Sequence, residues 1–249
     1  DVFKVKEILS TLGYEPKLKL SKKRELKYLK FQREYQFKNK KTGISLEIQW
    51  NLADISLSFP NEPIFTMDQI NTKLIEFNNK KLPVFSYEDL LIILSLHTVT
   101  HLWSKLSWIC DIAELVKNSE KLDWNKVIDK SHYLAVERIV YLNLSLVNEL
   151  FDVKLPKDIM DKIGSDKQIE CLKLDIKRIT IDRKDHSFGK SFILRFKIRE
   201  KLQNKLKDFL KIIIVPTSTE WKMFQKPLHL KILYILTRLK QLFNKIRNN

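Results

Sequence analysis

The sequence predicts an α+β protein in which a small N-terminal β-hairpin precedes a mostly α-helical domain. Residues 44–50 alternate between apolar and polar side chains, as in a half-buried strand. From residue 86 onward, apolar side chains recur at helical spacing. The 249 residues include only 4 glycines and 7 prolines, which disfavours a many-stranded β architecture. A change of composition near 80–86 predicts domains at 1–85 and 86–249.

The N-terminal elements follow from apolar periodicity and turn residues. Residues 1–13 predict a short helix that ends at Gly13 and has one apolar face, formed by Val5, Ile8, Leu9 and Leu12. Apolar and polar side chains begin to alternate in residues 31–37, and residues 39–43 indicate a turn. The strand predicted at 44–50 directs four side chains toward a core: Ile44, Leu46, Ile48 and Trp50. Glu47 then lies on the opposite face. A weak helix is predicted near 67–78, followed by an extended piece at 82–85.

Helices dominate the remainder of the chain. The sequence Ser86-Tyr87-Glu88-Asp89 predicts a helix start, and the apolar run 90–96 predicts that this helix is buried. Asp123 is the predicted N-cap of a later helix. The further predicted helices cover about 104–117, 124–132, 134–150, 157–180, 190–214 and 228–247.

The net charge of +16 predicts affinity for an anionic partner. Residues 15–41 hold 11 Lys and Arg against 3 Glu, a run typical of a solvated surface. With Tyr28, Phe31 and Tyr35 it could also bind nucleic acid, but no recognisable module accompanies it. Residues 226–249 form a basic amphipathic segment that we expect to dock onto the helical domain, with peripheral contact to an anionic membrane as the alternative.

The apolar runs and the cysteines predict a cytoplasmic protein. No run approaches 18 uncharged apolar residues, so no transmembrane helix is expected, and the first ten residues lack the features of a signal peptide. Cys110 and Cys171 lie within helical apolar patterns and lack metal-ligand spacing. Both are predicted to be buried thiols in a reducing compartment.

One stripe of side chains stands out as a candidate site: His97, His101, Lys105, Trp108 and Asp111. On an unbroken helix these would share a face, but Asp111 would lie roughly 21 Å from His97 along the axis. One helix could not then supply three ligands, so no structural zinc is expected. One alternative is that these side chains contact a substrate or an anion. The other is that they only pack within the fold, with their hydrogen bonds satisfied. The sequence contains no nucleophile-elbow, Walker A or dinucleotide-binding motif.

The order of several short motifs resembles the uncharacterised nucleotidyltransferase family, within the polymerase-β-type superfamily. They are Leu12-Gly13-Tyr14, Glu47-Ile48-Gln49-Trp50, Tyr87-Glu88-Asp89-Leu90-Leu91, the series His97, His101, Trp103, Leu106, Trp108 and Asp111, Asp123-Trp124, Leu155-Pro156, and Pro227-Leu228 followed by 232–238. The block 86–124 is the most specific. Gln49 and Thr100 depart from the family pattern, which usually has His and often Lys there.

The resemblance implies a fold, a cofactor and substrates. The N-terminal sheet would be a remnant of the nucleotidyltransferase palm, and Glu47 would be the third carboxylate that holds a catalytic Mg²⁺. The family's Asp-x-Asp strand precedes the first helix, whereas this sequence begins at Asp1, within the stretch that follows. Either the sequence is a fragment or the motif is lost, and in either case we expect this chain alone to be inactive. The substrates would be a nucleoside triphosphate and an unknown acceptor, contacted by His97, His101, Lys105 and Asp111.

Two functions remain open at this stage. The first is a bacterial cytoplasmic nucleotidyltransferase. The second is a non-catalytic scaffold that binds a nucleotide or a partner within a surface-polysaccharide or peptide-modification pathway, in whose gene neighbourhoods family members often occur.

Overall fold

The computed structural model of the chain describes residues 2–51, 57, 59, 72–118, 122–180, 188–215 and 221. Within these ranges there are ten helices, a three-stranded antiparallel sheet and a two-stranded hairpin. The small sheets come first and the helices dominate afterwards, so the predicted α+β class is confirmed. The division into domains at residue 85 stays a prediction.

The N-terminal elements alternate between helix and strand. They are α1 (Val2–Thr11), β1 (Tyr14–Pro16), α2 (Lys22–Phe31), β2 (Glu34–Asn39) and β3 (Ser45–Gln49). The sheet order is β1-β2-β3 with both pairs antiparallel, and Gln36 lies opposite Glu47 in the register. The predicted strand at 44–50 and its partner are therefore confirmed.

One face of this sheet covers a small core. The buried residues are Leu9, Leu18, Tyr28, Tyr35 and Phe37. Leu46, Ile48 and Trp50 pack against them, as predicted. Ile44 was wrongly predicted to face the core: its side chain is 57% exposed because the residue lies in the connection before the first paired residue of β3. On α1 only Leu9 is buried, whereas Val5, Ile8 and Leu12 are exposed.

The helix α2 was not predicted, because its basic residues dominate the pattern. Its inner face buries Glu25 and Tyr28. The Tyr35 hydroxyl lies 2.7 Å from Glu25 Oε1 and 3.0 Å from the Leu18 carbonyl oxygen. The contact with Glu25 joins the sheet to α2. Burial raises the pKa of Tyr28 to about 12. Tyr28 and Tyr35 are 4% and 1% exposed, so neither ring can stack on a nucleic-acid base, whereas Phe31 is 44% exposed. Binding of nucleic acid by this segment stays untested.

A second hairpin consists of β4 (Thr72–Phe77) and β5 (Lys80–Phe85). The helix predicted near 67–78 is therefore wrong over 72–77, and its first residues lie outside the described ranges. Asn78 and Asn79 have φ angles of 50° and 59°, as a two-residue hairpin turn requires. The sequence analysis did not identify this turn, which favours a hairpin of two strands over the predicted helix. The extended piece at 82–85 is confirmed as the end of β5.

The helical part contains eight described helices. They are α3 (Tyr87–Thr100), α4 (Leu106–Lys117), α5 (Trp124–Tyr133), α6 (Glu137–Phe151), α7 (Lys157–Ser165), α8 (Lys167–Thr180), α9 (Phe188–Lys197) and α10 (Leu202–Ile214). Both predicted caps form: Ser86 Oγ accepts from the Asp89 amide at 3.1 Å, and Asp123 Oδ1 accepts from the Lys126 amide at 3.2 Å. The predicted helix 190–214 is divided between α9 and α10, and the one at 228–247 lies outside the described residues.

The main core lies around α3 and α6. Leu91, Ile92 and Leu96 of α3 are fully buried, as predicted. The cysteines differ from expectation: Cys110 is half-buried, but Cys171 is exposed because α8 turns other positions, such as Ile169 and Leu172, inward. No helix in the described part of the chain has the length and apolar character needed to cross a membrane.

Candidate functional site: the open sheet face and a ring cluster

The face of the N-terminal sheet that points away from its core carries a polar network. Gln36 Nε2 donates to Glu47 Oε1 at 2.7 Å and to Glu34 Oε1 at 3.3 Å. Gln49 Nε2 donates to Glu34 Oε2 at 3.3 Å. Two carboxylates on neighbouring strands are thus held together by two neutral amides. Glu47 lies on this open face, as the alternation of its strand predicts.

The strand that carries Glu47 lies at an edge of its sheet. In the described ranges, β3 pairs with β2 on one side and with no strand on the other. An edge strand presents unpaired backbone N–H and C=O groups to whatever approaches it. A further strand could therefore add to the sheet directly beside Glu47.

The stripe predicted on one helix is instead divided by a tight turn. The helix α3 ends at Thr100, and Leu102 and Trp103 follow with φ angles of 52° and 51°, in the left-handed region. Such a conformation is strained for these residues and persists only where the surroundings enforce it. The Trp103 amide donates to the Thr98 carbonyl at 2.8 Å, and its indole Nε1 donates to Asn143 Oδ1 at 2.8 Å. Trp103 is fully buried and anchors the turn.

The turn packs three aromatic rings against one another, a set that we call the ring cluster: His97, His101 and Trp108. The ring centroids of His97 and His101 are 4.6 Å apart, and those of His101 and Trp108 are 4.7 Å apart. His97 meets Trp108 nearly edge-on, at 5.2 Å. Lys105 Nζ lies 5.3 Å from the Trp108 ring centroid, at cation–π distance. Three of the predicted residues, His97, His101 and Lys105, therefore lie around one tryptophan.

Burial and surrounding charges shift the pKa of His97. Burial lowers the pKa of His97, and the nearby charges of His101 and Arg33 lower it further. Asp111 acts in the opposite direction and raises this pKa. Asp111 is thus close enough to His97 to influence its charge. The unbroken helix for which a separation of roughly 21 Å was expected does not form, because the chain turns between α3 and α4.

Arg33 lies beside the open sheet face. It lies between α2 and β2, and its carbonyl accepts from the Trp50 amide at 3.0 Å. Its Nε lies 3.7 Å from Glu34 Oε2. Its positive charge lowers the pKa of His97. Sequence reasoning missed Arg33 and Glu34, because one arginine in a basic run gives no separate signal. Hydrogen bonds and an ion-pair contact therefore link four side chains in series on the sheet: Glu47, Gln36, Glu34 and Arg33.

Comparison with known proteins assigns the chain to a family. A family model described as uncharacterised nucleotidyltransferase matches residues 1–152, which is more than half of the 249 residues. The chain belongs to the uncharacterised nucleotidyltransferase family. No curated protein and no solved structure matches the chain.

The match to the nucleotidyltransferase family covers both parts of the candidate site. It extends from α1 to the end of α6 and so includes Glu47, Arg33 and the ring cluster. This confirms the resemblance seen in the sequence over that range and supports a general nucleotidyltransferase function. The motifs at 155–156 and 227–238 lie beyond the match.

The residues of this nucleotidyltransferase fit one ligand position of a magnesium ion. Glu47 is exposed, and in the described part of the chain it contacts the neutral Gln36 amide and forms no ion pair, which leaves its charge available to a cation. Mg²⁺ prefers carboxylate oxygens and keeps several waters when few are offered. Across the described ranges no group of three His, Cys, Asp or Glu side chains is arranged to hold a metal. Glu47 alone would hold the ion weakly.

Proposed function

We propose that this protein transfers a nucleotidyl group from a nucleoside triphosphate to an acceptor in a magnesium-dependent reaction, with Glu47 as a metal-site carboxylate. Membership of the nucleotidyltransferase family supports the reaction class. The observation that carries the assignment of the site is the position of Glu47. It lies on the open sheet face, on a strand whose outer edge is unpaired among the described residues, and hydrogen bonds link it through Gln36 to Glu34.

Each group on this surface has a distinct role in the proposal. Gln36 fixes one oxygen of Glu47, so the other oxygen can turn toward a cation. His97, His101 and Lys105 contact the substrate, and Asp111 balances their positive charge. When bound, Mg²⁺ would neutralise the phosphate charge that develops during transfer. A partner carboxylate pair on a strand added beside β3 would complete the ligand set.

The second candidate function is non-catalytic binding of a nucleotide or partner. One observation favours it: no set of three metal-ligating side chains exists in the residues that the structure describes. In that case the polar surface would bind its ligand without transferring a group.

Label transfer by the full-length protein, expressed from its natural start codon, tests the proposal. The four nucleoside triphosphates, labelled at the α-phosphate, are supplied with Mg²⁺ and with fractionated extract as the source of acceptor. We expect label to be incorporated from at least one of them, and incorporation to stop on addition of a chelator. Saturable nucleotide binding without any transfer would contradict the reaction and favour the non-catalytic function.

A further inference from the structure

The helix α10 turns most of its apolar side outward. Four apolar side chains follow one another at intervals of four residues, and each is 52% to 63% exposed: Leu202, Leu206, Leu210 and Ile214. We call these four side chains the outer row. The buried residues of α10 are Asn204 and Asp208, on the opposite side, and Ile213 near its end. A surface helix ordinarily does the reverse and buries its apolar stripe. The outer row is therefore suited to a partner that covers it.

Buried polar contacts hold α10 in this orientation. Arg199 is 1% exposed, and its Nε lies 3.1 Å from Asp208 Oδ2. Arg199 Nη1 also donates to the Ala135 carbonyl oxygen at 3.1 Å, and Lys211 Nζ donates to the Leu57 carbonyl oxygen at 3.1 Å. Rotation of the outer row toward the core would separate the buried guanidinium from its carboxylate, which is strongly unfavourable. The outward direction of the row is thus built into the fold.

The preceding helix extends this apolar surface. Lys205 Nζ of α10 lies 5.0 Å from the ring centroid of Phe196 on α9, so the two helices meet at this point. Phe196 is 39% exposed, and Ile193, three residues earlier on the same side of α9, is also exposed. Contiguous exposed apolar side chains of this kind mark surfaces that contact a protein or a membrane. We call the outer row together with Ile193 and Phe196 the α9–α10 face.

Positive charge borders the α9–α10 face. Lys201 and Lys207 are exposed and Lys205 is half-exposed. The one acidic residue of α10 is Asp208, which is buried against Arg199 and does not offset these lysines at the surface. An apolar surface edged by lysines and without an exposed acid on α10 complements a partner that is apolar inside and anionic at its boundary.

We infer that the α9–α10 face docks onto the surface of an anionic lipid bilayer, with α10 lying in the plane of the interface. Basic amphipathic helices bind in this way: the apolar side enters the boundary between headgroups and acyl chains, and lysines contact anionic headgroups. From Leu202 to Ile214 the outer row extends about 18 Å, at about 1.5 Å per residue, which is enough for several lipids. The inference is independent of the proposed function.

Charge disfavours two other occupants of this face. In a symmetric dimer the same surface of two copies would meet, and Lys201 and Lys207 of each chain would approach those of the other. The segment 226–249 holds six Lys and Arg and no acid, so it too would bring positive charge to a positive surface. Anionic headgroups neutralise the lysines instead of adding to them.

Co-sedimentation of the full-length protein with lipid vesicles tests the inference. We expect binding to vesicles of equal parts phosphatidylcholine and phosphatidylglycerol, much weaker binding to phosphatidylcholine alone, and loss of affinity as salt is raised. The double variant Leu206→Gln, Leu210→Gln should weaken binding by about tenfold or more. Lys207→Gln should weaken it by about fivefold. The matched controls are Leu174→Gln, an exposed leucine on α8, and Lys167→Gln, an exposed lysine, and neither should change affinity.

Urea unfolding checks that each variant is folded, and Lys207→Gln keeps the test decisive if the leucine variant is not. Absence of vesicle binding would overturn the inference, as would equal affinity in the variants and the wild type. Binding that survives in the leucine variant and disappears on deletion of 226–249 would assign the contact to that segment instead. A dimer in sedimentation velocity that the leucine variant dissociates would show that a second copy covers the face. Label transfer does not enter any of these outcomes, so failure here leaves the proposed reaction intact.

Discussion

Glu47→Gln should lower nucleotidyl transfer by the full-length protein about 100-fold or more while the fold stays intact. The substitution keeps the size of the side chain but removes the charge that a metal ligand needs. Loss of a group that stabilises developing phosphate charge typically costs two or more orders of magnitude in rate. Because Glu47 is exposed and its contact is one neutral amide, the free energy of unfolding should change by about 0.5 kcal/mol or less.

A matched control separates this effect from a general loss of surface charge. Glu76 is another exposed glutamate on a strand, in the second hairpin, and Glu76→Gln should leave the transfer rate unchanged. The rates are compared at saturating nucleotide with the label-transfer assay, and unfolding is followed in urea. A Glu47→Gln protein that keeps a rate within threefold of the wild type would show that Glu47 is an ordinary surface residue.

Trp103→Ala should destabilise the protein by about 3–5 kcal/mol, the largest stability effect expected of a single substitution near the site. Trp103 is fully buried, and its indole donates to Asn143, which also accepts from Thr98. The substitution leaves a cavity and removes the anchor of the left-handed turn. The ring cluster should then lose its geometry.

Trp108→Ala provides the comparison for this prediction. Trp108 is only half-buried and belongs to the ring cluster, so its loss should cost less stability than that of Trp103. Urea unfolding of both variants at one pH measures the difference. A loss below about 1 kcal/mol for Trp103→Ala would mean that the buried hydrogen bonds do not hold the turn.

The sequence predicted correctly those elements that depend on residues close together in the chain. The strand that carries Glu47 was found because its alternation is regular, and the cap at Ser86 was found because the hydroxyl and the amide of Asp89 lie three residues apart. Three residues of the stripe, His97, His101 and Lys105, lie around Trp108, although the helix that was predicted to carry them is broken. Their assignment to substrate binding stays a prediction.

The errors arose where distant contacts decide the structure. The break after Thr100 depends on Asn143 and Thr180, more than 40 residues away, which stabilise backbone conformations that leucine and tryptophan otherwise avoid. Glu34 became visible only when the fold placed it beside Gln36, Gln49 and Arg33 on the open sheet face. In α2, the excess of lysine concealed the buried positions Glu25 and Tyr28.

The central claim is that the open sheet face and the ring cluster form one site, and a paramagnetic metal tests it most directly. Mn²⁺ is added to the full-length protein with a non-hydrolysable nucleoside triphosphate, and the broadening of the histidine ring protons is recorded. The account predicts that His97 and His101 broaden more strongly than His132, and that Glu47→Gln abolishes this broadening. Equal broadening of His132 and His97, or broadening that persists in Glu47→Gln, would contradict it.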